Sequence, residues 1–337
     1  MNNSTPESER TRSIDFEPPQ KGGDRRGRDT HYPYHLPLSA WKDILWRVRL
    51  QAAEDRITLI AAGTAFYLLL ALFPALAAFV SVYGFVADPA TVADHISFLG
   101  GLMPSGGLDL ISTQLESLAN QDRDALSLGF VVAFLAAFWS ANSGVKTLFQ
   151  ALNVAYEEQE KRSFIHLNLL ALAFTIAAIS VAIAMIVAVG IVPAALAVLQ
   201  LGSYSEIIIG LARWPTLIIL VAAGISIIYR FGPSRARAKW RWISWGGALA
   251  TVVWIAASAG FSYYLQNFAD YNATYGSLGA VIGLMLWIWI SVLILILGAE
   301  LNAEMEHQTT VDTTTGEPLP MGERGAVVAD TLGDAKD

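Results

Sequence analysis

The chain has 337 residues, 54% of them hydrophobic, only 15% charged, and none of them cysteine. A soluble globular chain carries roughly 25% charged residues, so this composition points to a membrane protein; the missing cysteine excludes disulfides, thiolate metal sites and Cys nucleophiles. The formal net charge of −7 is local. Residues 1–56 balance at +1, with ten basic and nine acidic side chains, whereas residues 300–337 carry nine acidic and two basic ones.

In chain order, residues 1–38 are polar, contain no long apolar run, and read as a disordered cytoplasmic N-terminal tail. The first long apolar segment is then expected to serve as the insertion signal. Ala40 to about Arg56 reads as a helix capped by Ser39. Trp41, Ile44, Leu45, Val48 and Ala52 form its apolar stripe, and Lys42, Arg47 and Arg49 lie off it. Such a basic amphipathic helix fits the membrane interface or packs under a helix bundle. Six uncharged intervals follow: Ile57–Ala87, Ala125–Val145, Ser163–Ser205, Trp214–Tyr229, Trp242–Ala269 and Tyr271–Ala299. Spanning a bilayer takes about 20 apolar residues in a helix, so these are six expected spans of a polytopic all-α protein, within a membrane domain over 39–307. The long first outer connection, 88–124, carries two apolar stripes separated by Pro104, Gly106 and Gly107, and reads as two short amphipathic helices. Residues 308–337, rich in Thr, Gly and Asp, read as a disordered acidic tail.

Lys and Arg in alternate connections sum to 20 on one side and 2 on the other. The basic side stays cytoplasmic, so both termini are expected inside and the number of spans is even.

Candidates for chemistry are few. The five histidines are scattered, and no Walker A or Gly-x-Ser-x-Gly motif is present. No catalytic, cofactor or metal site is therefore expected. Polar groups within spans are costly and tend to mark function. Asn142 and Lys146 share a face at the cytoplasmic end of the second span, and Glu300, Asn302 and Glu304 end the last. Lys146 and Glu300 lie at the same depth and are expected to pair, directly or through Asn142 or Asn302. The pair would be an anchoring ion pair or an inner gate. Pro74 should kink the first span, either for packing or to open a pathway. Gly276, Gly279 and Gly283 form a small-residue stripe for close helix packing. Asn272, Thr274, Tyr275 and Ser277 crowd the outer turn and could line a vestibule.

The stretch Tyr271–Glu304, YNATYGSLGAVIGLMLWIWISVLILILGAELNAE, resembles the YihY/BrkB family of bacterial inner-membrane proteins, once labelled ribonuclease BN. Phe66–Pro74, Trp139–Tyr156 (WSANSGVKTLFQALNVAY) and Tyr229-Arg-Phe-Gly-Pro233 followed by Trp240-Arg-Trp resemble further parts of it, in order, over residues 40–307. The resemblance implies a six-span protein of the plasma (inner) membrane and, through the virulence-factor label, an envelope role. It carries over no catalytic residue, and the ribonuclease label reads as a misnomer. The expectation is a transporter or lipid-translocating protein of the envelope, the alternative a non-transporting membrane scaffold, and a nuclease the least supported of the three. The expected partners are the bilayer and lipids or small solutes, with no nucleic acid and no cofactor; oligomeric state, substrate and coupling ion stay open.

Overall fold

The computed structural model describes residues 26–83, 128–198, 203–267 and 278–336. Among them the regular structure is helical, apart from one isolated bridge between Ala238 and Thr314. A 3-10 turn at Pro33–His35 precedes α1 (Leu38–Glu54). Six long helices follow: α2 (Ile57–Tyr83), α3 (Leu128–Ala155), α4 (Phe164–Val198), α5 (Ser203–Phe231), α6 (Trp240–Asn267) and α7 (Leu278–Glu306). A single turn, α8 (Val327–Asp330), lies near the C-terminal end.

These helices form because their apolar runs are long and lipid offers no partner for a free backbone amide, so every peptide group must be satisfied within its own helix. Among the described residues, Phe164–Val181, Trp240–Leu265 and Leu278–Glu306 are each long and apolar enough to cross a membrane. A fourth crossing arises if α1 and the start of α2 count as one bent pair; the bend between them is 62°.

Helix α1 begins at Leu38 after Pro37, two residues before the expected start, and Ser39 is not its cap. Its buried face is Ala40, Asp43, Ile44 and Arg47. Leu45, placed in the apolar stripe by periodicity, is exposed, because the face that packs on α7 selects the polar pair Asp43 and Arg47.

Helix α7 is the hub. It packs against α1, α2, α3, α6 and α8, while α4 rests mainly on α3 and touches α5. The main core gathers Ile57 and Ala61 of α2, Leu152 and Ala155 of α3, Tyr229 of α5, Ile243 of α6 and Ile296 and Ala299 of α7. Large apolar side chains such as Phe66, Leu70, Leu169, Ile176, Ile219 and Val252 point outward, as a lipid-facing surface requires.

Two expectations about the tails are corrected. Residues 308–336 are folded against the bundle, and so are residues 26–38 of the N-terminal segment; residues 1–25 lie outside the described residues. The Thr310 amide donates to the Arg28 carbonyl (2.7 Å), and the Arg324 guanidinium donates to the carbonyls of Thr310 and Ala329 (2.7 Å each). Asp312 accepts from the backbone of Thr314 (2.8 Å) and of Leu319 (3.0 Å). Burial alone would raise the Asp312 carboxyl, but these hydrogen bonds and nearby Lys239 outweigh it and hold it below the ordinary range. Polar composition predicts disorder only when a segment finds no partners. Here the partners are each other and the other end of the chain.

Candidate functional site

The last two turns of α7 bring three carboxylates into the packed end of the bundle that carries both terminal segments. Two are matched by arginines from other elements. Arg235, in the α5–α6 connection, clasps Glu306 with two bonds of 3.1 and 2.7 Å, and the Thr313 hydroxyl adds a third at 2.6 Å. The pair is nearly dry on both sides. Burial alone would lower the Arg235 guanidinium, yet Glu306 raises it above its ordinary value. Arg47 of α1 donates through Nε to the Glu304 carboxylate and through Nη2 to the Glu304 carbonyl (3.0 Å) and to Gln308 (2.8 Å). His307 lies 3.7 Å from Glu304 through Nδ1.

Glu300 is different. Its exposure is 0%, and neither oxygen has a hydrogen-bond partner. Asp55, at the α1–α2 junction, is its principal charged neighbour, followed by Glu304 and Glu157. The buried Tyr156 hydroxyl, just beyond α3, is likewise without a hydrogen-bond partner, in the core cluster that includes Ala299 and Ala303 of α7. Burial pushes this phenol well above its ordinary range, with Glu306 adding to the effect. Asn302 accepts from the Gly246 amide (2.8 Å) through its Oδ1, while its Nδ2 is unpartnered. Burial also raises the Asp55 carboxyl, against a 3.4 Å hydrogen bond from Gln51 that lowers it. A carboxylate buried without donors costs several kcal/mol at the order of magnitude.

The turns that flank this site are conformationally unusual. Arg56, beside Asp55, has φ of 50°, and Glu157, beside Tyr156, has φ of 53°. Left-handed backbone favours glycine, and each L side chain held there costs about 1–3 kcal/mol. The chain thus leaves both α1 and α3 through such a residue.

Close helix approach also centres here. A Cβ on Gly246 of α6 would overlap the Gly298 carbonyl and the Asn302 side chain. One on Gly298 would overlap the Tyr229 hydroxyl and lie 2.8 Å from the Ala250 Cβ. The Tyr229 hydroxyl donates to the Leu295 carbonyl at 2.8 Å.

The expected Lys146–Glu300 pair is not formed. The Lys146 ammonium donates to Asn168 Oδ1 of α4 at 2.9 Å, and Asn142 Nδ2 donates to the same oxygen at 3.2 Å. Asn142 is thus joined to Lys146, as expected, but on the side of α3 that faces α4. Depth along a helix does not set rotation about it. Gly279 and Gly283 are buried on α7, and a Cβ on Gly283 would meet Leu265 at an ordinary 3.7 Å. Tight contacts occur instead at Gly246 and Gly298, and at Gly144 of α3 against Ala71 of α2. Pro74 lies within α2, but its side chain is outside the described residues. The outer-turn residues Asn272, Thr274, Tyr275, Gly276 and Ser277, and the connection 88–124, also fall outside them. Sequence reasoning missed Asp55, Arg47, Tyr156 and Arg235. A signal existed for Arg47, which stands four residues after Asp43 on one helical face, and none for Asp55. Among the described residues no group of three or more His, Asp or Glu is arranged to hold a metal ion.

The terminal segments close over this end. The Gly333 amide donates to the His307 carbonyl (2.9 Å), the Val327 amide to Glu158 (2.8 Å) and the Lys336 amide to Asp43 (3.0 Å). Arg47 reaches the Asp334 carbonyl at 2.8 Å.

Residues 48–320 match the family described as virulence factor BrkB. YfkH of Bacillus subtilis (strain 168), which its name calls ribonuclease-like, is 30% identical over 272 residues, 79% of this chain and 94% of that protein. A UPF0761 membrane protein of Cronobacter sakazakii (strain ATCC BAA-894) is 25% identical over 277 residues, 80% of this chain and 89% of the relative. Another, from Nitrosospira multiformis (strain ATCC 25196 / NCIMB 11849 / C 71), is 25% identical over 266 residues, 78% of this chain but 61% of the longer relative. No solved structure matches.

Proposed function

The chain belongs to the BrkB family of membrane proteins, and from that premise we propose that it is a transport protein of the bacterial inner membrane, moving a small solute or a lipid through its helix bundle. One observation carries the reading: the carboxyl of Glu300, at the hub where α7 meets its neighbours, is fully buried and has no partner. A scaffold helix gains nothing from such a group, whereas ionisable residues inside transporter bundles mark ion and substrate pathways. The two arginine-matched carboxylates on the same helix sharpen the contrast. They are what a purely structural end of the bundle needs.

In this reading the end that carries both termini faces the cytoplasm, supported by the 20-to-2 division of Lys and Arg among the connections. Single cysteines on this cysteine-free chain test it. A cysteine at the exposed Glu317 should react with an impermeant reagent only after permeabilisation, and one at Asp270 in intact cells. The reverse pattern turns the protein over.

The transport reading is tested with purified protein in liposomes, in two arms. Outward exposure of a fluorescent phospholipid reports lipid movement, and an internal pH dye reports solute-linked ion flux under an imposed gradient. At least one signal should exceed that of empty liposomes and fall to it in Glu300→Gln. Neither arm responding, or a folded Glu300→Gln protein that runs at the wild-type rate, removes the proposal. The ribonuclease-like name of the Bacillus relative is not carried over. Purified protein should leave RNA intact with and without a divalent metal.

A further inference from the structure

We propose that Arg230 and Arg237, where α5 gives way to α6, bind the phosphate of an anionic lipid headgroup in the leaflet on the side of both termini. The site requires only that the bundle sits in a bilayer, so it stands or falls apart from the transport reading.

The membrane surface is marked at this corner of the bundle. Trp240–Leu265 of α6 is long and apolar enough to cross a membrane, and the apolar run Ile218–Phe231 of α5 ends beside its start. Within those runs large side chains are exposed, as lipid-facing positions are: Ile219 and Ile227 on α5, Trp245, Leu249 and Val252 on α6. Trp240, 49% exposed, is the first residue of α6, and an indole there suits the headgroup layer. The Phe231 and Trp240 rings meet edge to face, their centroids 6.5 Å apart. The Arg230 guanidinium lies 4.4 Å from the Trp240 ring and 5.7 Å from the Phe231 ring. The Arg237 guanidinium lies 5.0 Å from the same Phe231 ring. One aromatic pair thus holds two cations at headgroup depth.

What these two cations lack is an anion. Five basic residues stand between Arg230 and Arg241, ends included. Arg235 is taken by Glu306 (2.7 Å), Lys239 by the Asp312 carbonyl (2.8 Å), and Arg241 stacks on Tyr32 at 4.6 Å. Among the described residues Arg230 and Arg237 form no salt bridge. For Arg230 this is costly, because its Nε and Nη1 are closed off from solvent without an acceptor. A side chain that merely snorkels keeps its charged head in water. Only Nη2 is left to meet an acceptor from outside, and the exposed Arg237 stands beside it on the shared ring. The usual task of an arginine in a last helical turn is already filled. Arg162 donates to the carbonyls of Phe231 (3.3 Å) and Gly232 (2.8 Å), closing α5, and takes up Glu160 (2.7 Å). Those bonds, with the Ser234 amide donating to Asn153 Oδ1 (2.7 Å), fix the backbone that carries both arginines. The site is therefore preformed, cationic and apolar on its bilayer side. A phosphodiester carried on acyl chains fits both features, because Arg favours phosphate and the exposed α5 and α6 side chains favour the chains.

The test is native mass spectrometry of the delipidated full-length protein in detergent, titrated with phosphatidylglycerol or with phosphatidylcholine. Wild type should bind its first phosphatidylglycerol at least about tenfold more tightly than phosphatidylcholine. Arg230→Gln and Arg237→Gln should each lose about fivefold of that affinity, the share of one basic residue at an anionic surface. Arg49→Gln, at an exposed arginine of α1, should change nothing. Equal affinity for the two lipids overturns the site. So does an equal loss in all three variants, which would mean diffuse attraction to a basic face. Millimolar inorganic phosphate should leave phosphatidylglycerol bound; if it displaces the lipid, the site is one for soluble phosphate and the lipid assignment is overturned. If Arg230→Gln does not fold, Arg237→Gln, whose side chain is exposed, decides alone.

Discussion

Helices α4 and α7 are both long, both overwhelmingly apolar and nearly uniform around their circumference, yet they occupy opposite places in the molecule. Helix α4 lies at the edge, with Phe164, Ile165 and Leu169 exposed by 69%, 70% and 59%. Its polar residues carry no charge: Thr175 donates to the Ala171 carbonyl (2.9 Å) and Asn168 Nδ2 to the Phe164 carbonyl (2.7 Å), while Asn168 Oδ1 accepts from Lys146 and Asn142 of α3. The last turns of α7, by contrast, are buried without interruption from Gly298 to Glu306, three carboxylates included. Uniform hydrophobicity therefore does not distinguish a lipid-facing helix from a hub. What distinguishes them is the polar load, because only a helix surrounded by protein can find arginines for its carboxylates, or keep one unmatched.

The largest effect should come from stranding a matched charge on α7. Glu306→Gln or Arg235→Met leaves its partner buried and alone, costing about 3–5 kcal/mol. Thermal unfolding in detergent should show each single variant far below wild type and the pair Arg235→Met/Glu306→Leu recovering part of the loss. Additive losses would mean that the hub does not depend on matching.

Next come the apolar and glycine contacts. Leu284→Ala, on the buried face of α7, should cost about 2–5 kcal/mol, whereas Leu169→Ala on α4 should stay within about 0.5 kcal/mol. Equal losses would erase the distinction between edge and hub. Within α7, Gly298→Ala should cost about 1–3 kcal/mol by overpacking against α5 and α6. Gly283→Ala should be tolerated, since its Cβ meets only Leu265 at 3.7 Å. Folded yield and melting temperature read both.

The smallest effect lies where α4 begins. Arg162 donates to Glu160 at 2.7 and 2.6 Å and lowers its carboxyl to about 2, against the opposing effect of burial. A carboxyl lowered on folding stabilises above its unfolded value and loses that contribution as pH falls through the folded one. The α3–α4 connection should therefore loosen between about pH 4.5 and 2, by less than about 1 kcal/mol because the pair is partly exposed. Proteolysis at Lys161 across that range checks it, with Glu160→Gln insensitive.

Much of the fold was legible. Uncharged intervals located the six long helices, since lipid compels an unbroken helix wherever no charge interrupts, but not their ends: α3 runs on past Lys146 to Ala155, and α5 begins at Ser203, well before Trp214. The family resemblance was legible in the same stretches. The tails were not. Their polar, acidic composition signals disorder only if partners are absent, and Thr309, Thr310 and Arg324 find theirs in a web that reaches residues about 280 positions away in the chain. Of the site, Glu300 and Asn302 were legible as polar groups ending an apolar run, and Lys146 as their equal in depth.

By itself the sequence determined which segments are helical, which end of each is polar and, through the distribution of Lys and Arg, the side on which that end is expected. Each follows from a one-dimensional property: apolar length, or position along an axis. Only the tertiary structure decided that Lys146 turns toward Asn168 while Glu300 is fully buried in the bundle. It alone decided that Arg47 and Arg235 serve the neighbouring carboxylates and leave this one without a partner. The physical reason is rotation. A helix that is apolar on every side carries no periodic signal of which face meets which neighbour, so the azimuth of each polar group is set by packing between helices far apart in the chain.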